Sequence, residues 1–113
     1  MGKVYCEGRL LWGRVDVAAN PWRRLLGLMG RRGLAPGQGL LIRPCRQVHT
    51  CHMKFPLDVI FLNKGLTVLA VHTLEPGRVS PRVRDAACVL EVAAGDARAL
   101  GLKPGDRLTL TEE

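Results

Sequence analysis

Two of the three histidines, two of the four cysteines, both phenylalanines and one Asp fall in a single stretch, Pro44–Leu62, which reads PCRQVHTCHMKFPLDVIFL. Three chemistries are open to these side chains. Cys45, His49, Cys51 and His52 are the residue types that hold tetrahedral zinc. On an extended strand, however, His49 and Cys51 point one way and His52 the other, so all four converge only in a loop. The spacing is also not the paired Cys-x-x-Cys of most structural zinc sites. Buried thiols and a hydrogen-bonded histidine account for the pattern without a metal. The metal candidates reduce to Cys45, His49 and Cys51, and no cofactor is expected.

The second chemistry is a Cys–His pair, with Cys45 as nucleophile, His49 as base and Asp58 as its orienter. No sequence suited to an oxyanion hole accompanies it. The third is binding. Asp58 sits in an otherwise apolar run, and a buried carboxylate needs a partner. Its options are His72, Lys54, an Arg, backbone amides or a ligand. Cys45, His49, Thr50, Met53, Lys54, Asp58 and His72 are therefore the candidate polar site, set at the mouth of a small barrel. A closed hydrogen-bond network that fixes strand register is the structural alternative to a pocket. No residue is assigned a catalytic role.

The elements that position these residues are mostly strands. Lys3–Cys6, Leu10–Val17, Gly39–Ile42, Leu57–Leu62, Leu66–Thr73, Ala87–Val92 and Arg107–Thr111 are apolar or alternating runs bounded by turn residues. Leu57–Leu62 is apolar on both faces except at Asp58, which places it in the middle of the fold. Asn63-Lys64-Gly65 reads as a three-residue hairpin loop with Gly65 left-handed. That loop sets Leu62 opposite Leu66, Asp58 opposite Ala70 and Pro56 opposite His72. Asp58 and His72 would then be diagonal neighbours on one face. Asn20-Pro21 opens a short helix to Met29, with Asn as N-cap and Pro in the first turn. Gly95 and Asp96 begin a second, to Leu100, which Gly101 ends. Frequent turns and many short strands indicate a mainly-β domain, a small barrel or two-sheet sandwich with two short helices.

The bulk properties fit one domain. A chain of 113 residues buries about two-thirds of its unfolded surface without help from metal or disulfide. No linker or repeat divides it. The net charge of +7 points to an anionic partner. Arg supplies most of it, with Arg23, Arg31, Arg32, Arg82 and Arg84 as a possible anion-binding surface. Aromatic residues are only 4%, too few for extensive base stacking, which argues against nucleic acid. The first residues hold no signal-peptide core, and no apolar run approaches the roughly 18 residues of a membrane helix. The expectation is a cytoplasmic protein with reduced thiols. Oligomeric state is not legible.

The residues also carry a resemblance. Leu26-Gly27-Leu28-Met29-Gly30-Arg31, Gly39-Leu40-Leu41, Pro44-Cys45, Val48-His49-Thr50, Met53–Leu62, Leu90-Glu91, Gly95 and Gly101–Asp106 together resemble the prokaryotic domain of unknown function 192 family. The match spans about Val15 to Leu110. The resemblance implies a compact, mainly-β domain with no established biochemical activity. Many members look exported or lipid-anchored, and this chain departs from them in lacking a leader. Cys51-His52 also departs from the aromatic or small residues usual at that place. The expected function is a small-ligand or partner-binding accessory domain. The alternatives are a thiol-dependent or hydrolytic enzyme using Cys45 and His49, and a basic anion or nucleic-acid surface.

Overall fold

A computed structural model of the chain describes residues 1–19, 32–51 and 53–112. The helix expected at Pro21–Met29, and His52, lie outside the described residues. Among the described residues seven strands form one sheet: β1 (Gly2–Cys6), β2 (Arg9–Ala18), β3 (Gln38–Ile42), β4 (Leu57–Leu62), β5 (Val68–Leu74), β6 (Cys88–Ala93) and β7 (Leu108–Glu112). One short helix, α1 (Asp96–Ala99), joins β6 to β7 among the described residues. The spatial order is β5-β4-β6-β3-β2-β1-β7, antiparallel except for the β2–β3 pair.

The sheet curls into a half-barrel because its two edges meet at one end. Thr67 and Arg107 form an isolated bridge. Beside it the Val68 amide donates to the Asp106 carbonyl at 2.7 Å, and the Leu108 amide to the Leu66 carbonyl at 2.9 Å. The right-handed strand twist makes such curling natural, and bringing edges together hides backbone groups that would otherwise template aggregation.

Each face of the sheet buries its own apolar cluster. The first draws on all seven strands, as the inside of a curl must. It includes Val4, Trp12, Val15, Leu41, Ile60, Leu62, Val68, Leu90, Val92 and Leu108. The second, on Leu40, Ile42, Leu57, Val59, Phe61, Leu74 and Val89, is closed by Val48, Phe55 and Ala86 from the connecting loops. Strand β4 lies between β5 and β6 and is buried at all six positions. This is the reason for its unbroken apolar run.

The β4–β5 hairpin departs from the expected register. Asp58 pairs with Thr73 rather than Ala70, and Val59 pairs with His72. The turn is longer than a three-residue loop. The Asn63 carboxamide oxygen accepts from the Gly65 and Thr67 amides at 3.0 and 2.9 Å, and the Leu66 amide donates to the Asn63 carbonyl at 2.9 Å. Leu66, not Gly65, takes the left-handed conformation (φ 65°). A bulge between Phe61 and Leu62 completes the shift. The displacement is by an odd number of residues, so it turns the partner face over. Asp58 and His72 therefore lie on opposite faces, and the diagonal pair expected of them does not form.

Candidate functional site

Asp58 is fully engaged by the fold. Its carboxylate is buried, Oδ1 accepts from the Thr73 hydroxyl at 2.7 Å, and Oδ2 accepts from the Gly95 and Ala97 amides at 3.0 Å each. Gly95, the residue before α1, has no side chain to cap the helix, and it sits at φ 92°. Asp58 supplies the missing cap from the sheet, placing negative charge where the first helical amides need acceptors. The Trp12 indole N–H donates to Asp96 Oδ2 at 3.1 Å and ties the same turn to β2. His72, across the sheet, meets Phe61 edge-on with ring centroids 5.9 Å apart.

The other sequence candidates belong to a laced pair of loops. Residues 45–50 run against residues 75–87. The Cys45 amide donates to the Ala87 carbonyl at 3.1 Å, Val83 N to Arg46 O at 2.9 Å, and Ser80 N to Val48 O at 2.8 Å. His49 bridges Val79, and the Thr50 amide donates to the Arg78 carbonyl at 2.8 Å. Thr50 is wholly buried, its hydroxyl donating to the Glu75 carbonyl at 2.6 Å and accepting from the Arg78 amide at 2.9 Å. Thr50 is thus a structural pin, and Val48 is core. His49 and Lys54 face solvent, while Met53 and Cys51 are half-buried. Among the described residues no group of three or more His, Cys, Asp or Glu is placed to hold a metal ion.

Cys45 is the candidate that opens onto a concave surface. Two open, shallow clefts of about 390 and 400 Å³ adjoin there, both walled by Pro44, Cys45 and Arg46. Gln47 and Arg82 complete the first; Lys64, Arg84, Asp85, Ala86 and Ala87 complete the second. The Cys45 thiol donates to the Gln47 carbonyl at 3.2 Å. Arg46 is held by its Nε–H, which donates to the Ala86 carbonyl at 3.3 Å, and Gln47 Nε2 donates to the Ser80 carbonyl at 3.0 Å. The ion pairs among the described residues lie elsewhere, at Arg43–Glu112 (2.7 Å) and Lys103–Asp106 (3.1 Å). No described carboxylate is therefore paired with Arg46, Arg82, Arg84 or Lys64. His49 is not among the residues walling either cleft.

A third concavity, about 320 Å³, opens beside Cys6, Arg9, Leu100, Gly101, Lys103 and Asp106. Glu7 lines it as well, so two carboxylates face two cations there. Arg9 Nη2 donates to the Leu100 carbonyl at 2.8 Å, and the Lys103 amide and ammonium hold the Asp106 carboxyl below its usual pKa. Burial pushes the Cys6 thiol up, with the nearby Asp106 charge adding to the effect. This is a self-neutralised surface and a poorer receptor for a charged ligand.

Of the cations around Cys45, Arg82 and Arg84 were legible as part of a basic surface, whereas Arg46 and Lys64 were not. Arg23 and Arg31 lie outside the described residues, and Arg32 is exposed. The missing signal was tertiary, because Lys64 reaches the cleft from the β4–β5 turn and Arg46 from a loop held by backbone bonds.

No described helix is long and apolar enough to cross a membrane. Relatives share the fold and a fraction of the sequence. A UPF0127 protein of Pyrococcus abyssi is 32% identical over 116 residues, covering 96% of this chain and 97% of that one. A UPF0127 protein of Pyrococcus furiosus is 33% identical over 108 residues, covering 90% of each. Among solved structures, a candidate transcription regulator from Sinorhizobium meliloti superimposes with a TM-score of 0.78 at 29% identity. The match covers 96% of this chain and 90% of that one. A protein of unknown function from Novosphingobium aromaticivorans gives the same TM-score at 23% identity, over 96% and 82%, and speaks for the fold alone. The profile of the domain of unknown function 192 family, described as an uncharacterized ACR, matches residues 4–110, and the chain belongs to that family.

Proposed function

We propose that this chain is a non-enzymatic binding module that takes a small anionic ligand in the double cleft around Cys45 and Arg46. One observation carries the reading. Arg46, Arg82, Arg84 and Lys64 surround a concave wall and are not ion-paired with any described carboxylate. Four cations against the one carboxylate of Asp85 raise the local concentration of anions and reward one that binds. Arg in particular offers a planar fork of donors suited to carboxylate and phosphate. The wall is also preorganised. Backbone bonds lace residues 45–50 to residues 75–87, so little loop entropy is lost on binding.

The test is a thermal-shift titration with inorganic phosphate at ionic strength held constant with chloride. A ligand that binds only the folded state raises the midpoint with the logarithm of its concentration once that exceeds Kd. The midpoint of the wild type rises, and Arg46→Gln and the exposed Arg82→Gln each reduce the rise. An identical rise in both variants, or none in the wild type, overturns the proposal.

A further inference from the structure

The two clefts adjoin in a way that defines the ligand further, on the reading that the double cleft is an anion site. They share Pro44, Cys45 and Arg46, and each adds cations of its own on either side of that saddle. Arg82 serves the first lobe; Lys64 and Arg84 serve the second, beside a single carboxylate, Asp85. A compact monoanion can occupy one lobe or the other and leaves cations unmatched in both cases. We infer that the ligand is an elongated small-molecule dianion, with one anionic end in each lobe and its middle crossing the Pro44–Cys45–Arg46 saddle.

Three features support this length and this class. Arg46 is pinned to the Ala86 carbonyl from the saddle, so it serves both lobes without moving. Beside Arg46 the saddle presents Pro44 and the Cys45 side chain, an apolar and weakly polar surface suited to a hydrocarbon spacer. Among the described residues no aromatic side chain lines either lobe, so a nucleic-acid strand would find charge for its phosphates and no platform there for its bases. Asp85 adds to that preference. It lowers the cation excess of the second lobe, which disfavours a dense polyanion more than a ligand with two separated charges.

Joining two anionic groups makes the second contact intramolecular, with an effective concentration that peaks when the spacer matches the gap. The experiment uses straight-chain α,ω-dicarboxylates of increasing length as probes, with the monocarboxylate of each length as its control. Affinities are read by calorimetry at constant ionic strength. The best dicarboxylate binds about tenfold or more tightly than its monocarboxylate, and affinity passes through an optimum with length. The exposed substitutions Arg82→Gln and Arg84→Gln each bring that dicarboxylate down to monocarboxylate strength. Equal binding of mono- and dicarboxylates at every length overturns the bridging inference while leaving the anion site standing. No binding by either class overturns the inference, and, where phosphate also fails to bind, removes the anion site with it. A single-stranded oligonucleotide that binds more tightly than every dicarboxylate also overturns the inference and makes the basic surface a nucleic-acid site.

Discussion

Asp58 and Ala97 are 39 positions apart in the chain, yet the Ala97 amide donates to the Asp58 carboxylate at 3.0 Å. The Gly95 amide shares that oxygen, and the Thr73 hydroxyl takes the other. A carboxylate in the most buried strand is thereby made the N-terminal cap of a helix too short to hold itself. The bond joins β4 to α1, and the turn after α1 leads into the edge strand β7.

Asp58→Asn keeps the shape and removes the charge. It weakens both amide bonds by taking the charge from their acceptor, and sets the NH₂ group opposite the Thr73 hydroxyl. The expected loss is about 1.5–3 kcal/mol, the range for hydrogen bonds to a charged group. Thr73→Val removes one bond to the same carboxylate and loses about 1 kcal/mol. Urea denaturation of the two variants measures both. Asp58→Asn falling within error of wild type would mean that the cap contributes nothing.

Thr50 makes an analogous prediction for the laced loops. Thr50→Val keeps the volume and deletes bonds to Glu75 and Arg78. Stability falls by about 1–3 kcal/mol, and hydrogen exchange at the Arg78 amide accelerates. Unchanged protection of that amide would contradict the role of Thr50 as the pin.

Gly39 is where β3 has little room for a side chain. A Cβ there would lie 3.1 Å from Val92 Cγ1 and 3.3 Å from the Glu91 carbonyl oxygen. The backbone is not left-handed, so the effect is steric. Gly39→Ala lowers stability by about 1–3 kcal/mol, the usual cost of overpacking. A chemical denaturation midpoint equal to wild type would show that β3 and β6 separate without strain.

Cys88 makes stability fall at alkaline pH. Burial pushes its thiol from 9.0 up to about 11, with the neighbouring Cys45 adding and Arg43 opposing. The folded protein keeps this proton after the unfolded chain has released it. The contribution is complete below pH 9 and is lost as pH rises towards 11. Wild type should therefore lose stability faster across that interval than Cys88→Ala, as read from urea midpoints at each pH. Parallel curves would refute the assignment.

Much of the sheet was legible because burial leaves a pattern. The observed β4 has the bounds the apolar run Leu57–Leu62 indicates, since a strand covered on both faces needs no polar positions. Gly95 and Gly101 flank α1 in left-handed conformations, as glycines at helix ends often do. The register was not legible. Asn63 folds its own side chain into the turn, and Leu66 adopts a left-handed conformation that sequence reasoning reserves for glycine. The cleft was only half visible. Cys45 drew notice by its chemistry and Arg82 and Arg84 by their charge. Nothing local in the sequence shows that Arg46 would be held over Ala86 or that Lys64 would reach the same wall.

The anion site is tested most directly by an amide-resolved NMR titration with inorganic phosphate at constant ionic strength. The expected result is saturable shifts centred on Cys45, Arg46, Gln47, Lys64 and residues 82–87, all removed in Arg46→Gln. Shifts centred instead on Cys6, Arg9, Lys103 and Asp106, or no saturable shift at all, would contradict it.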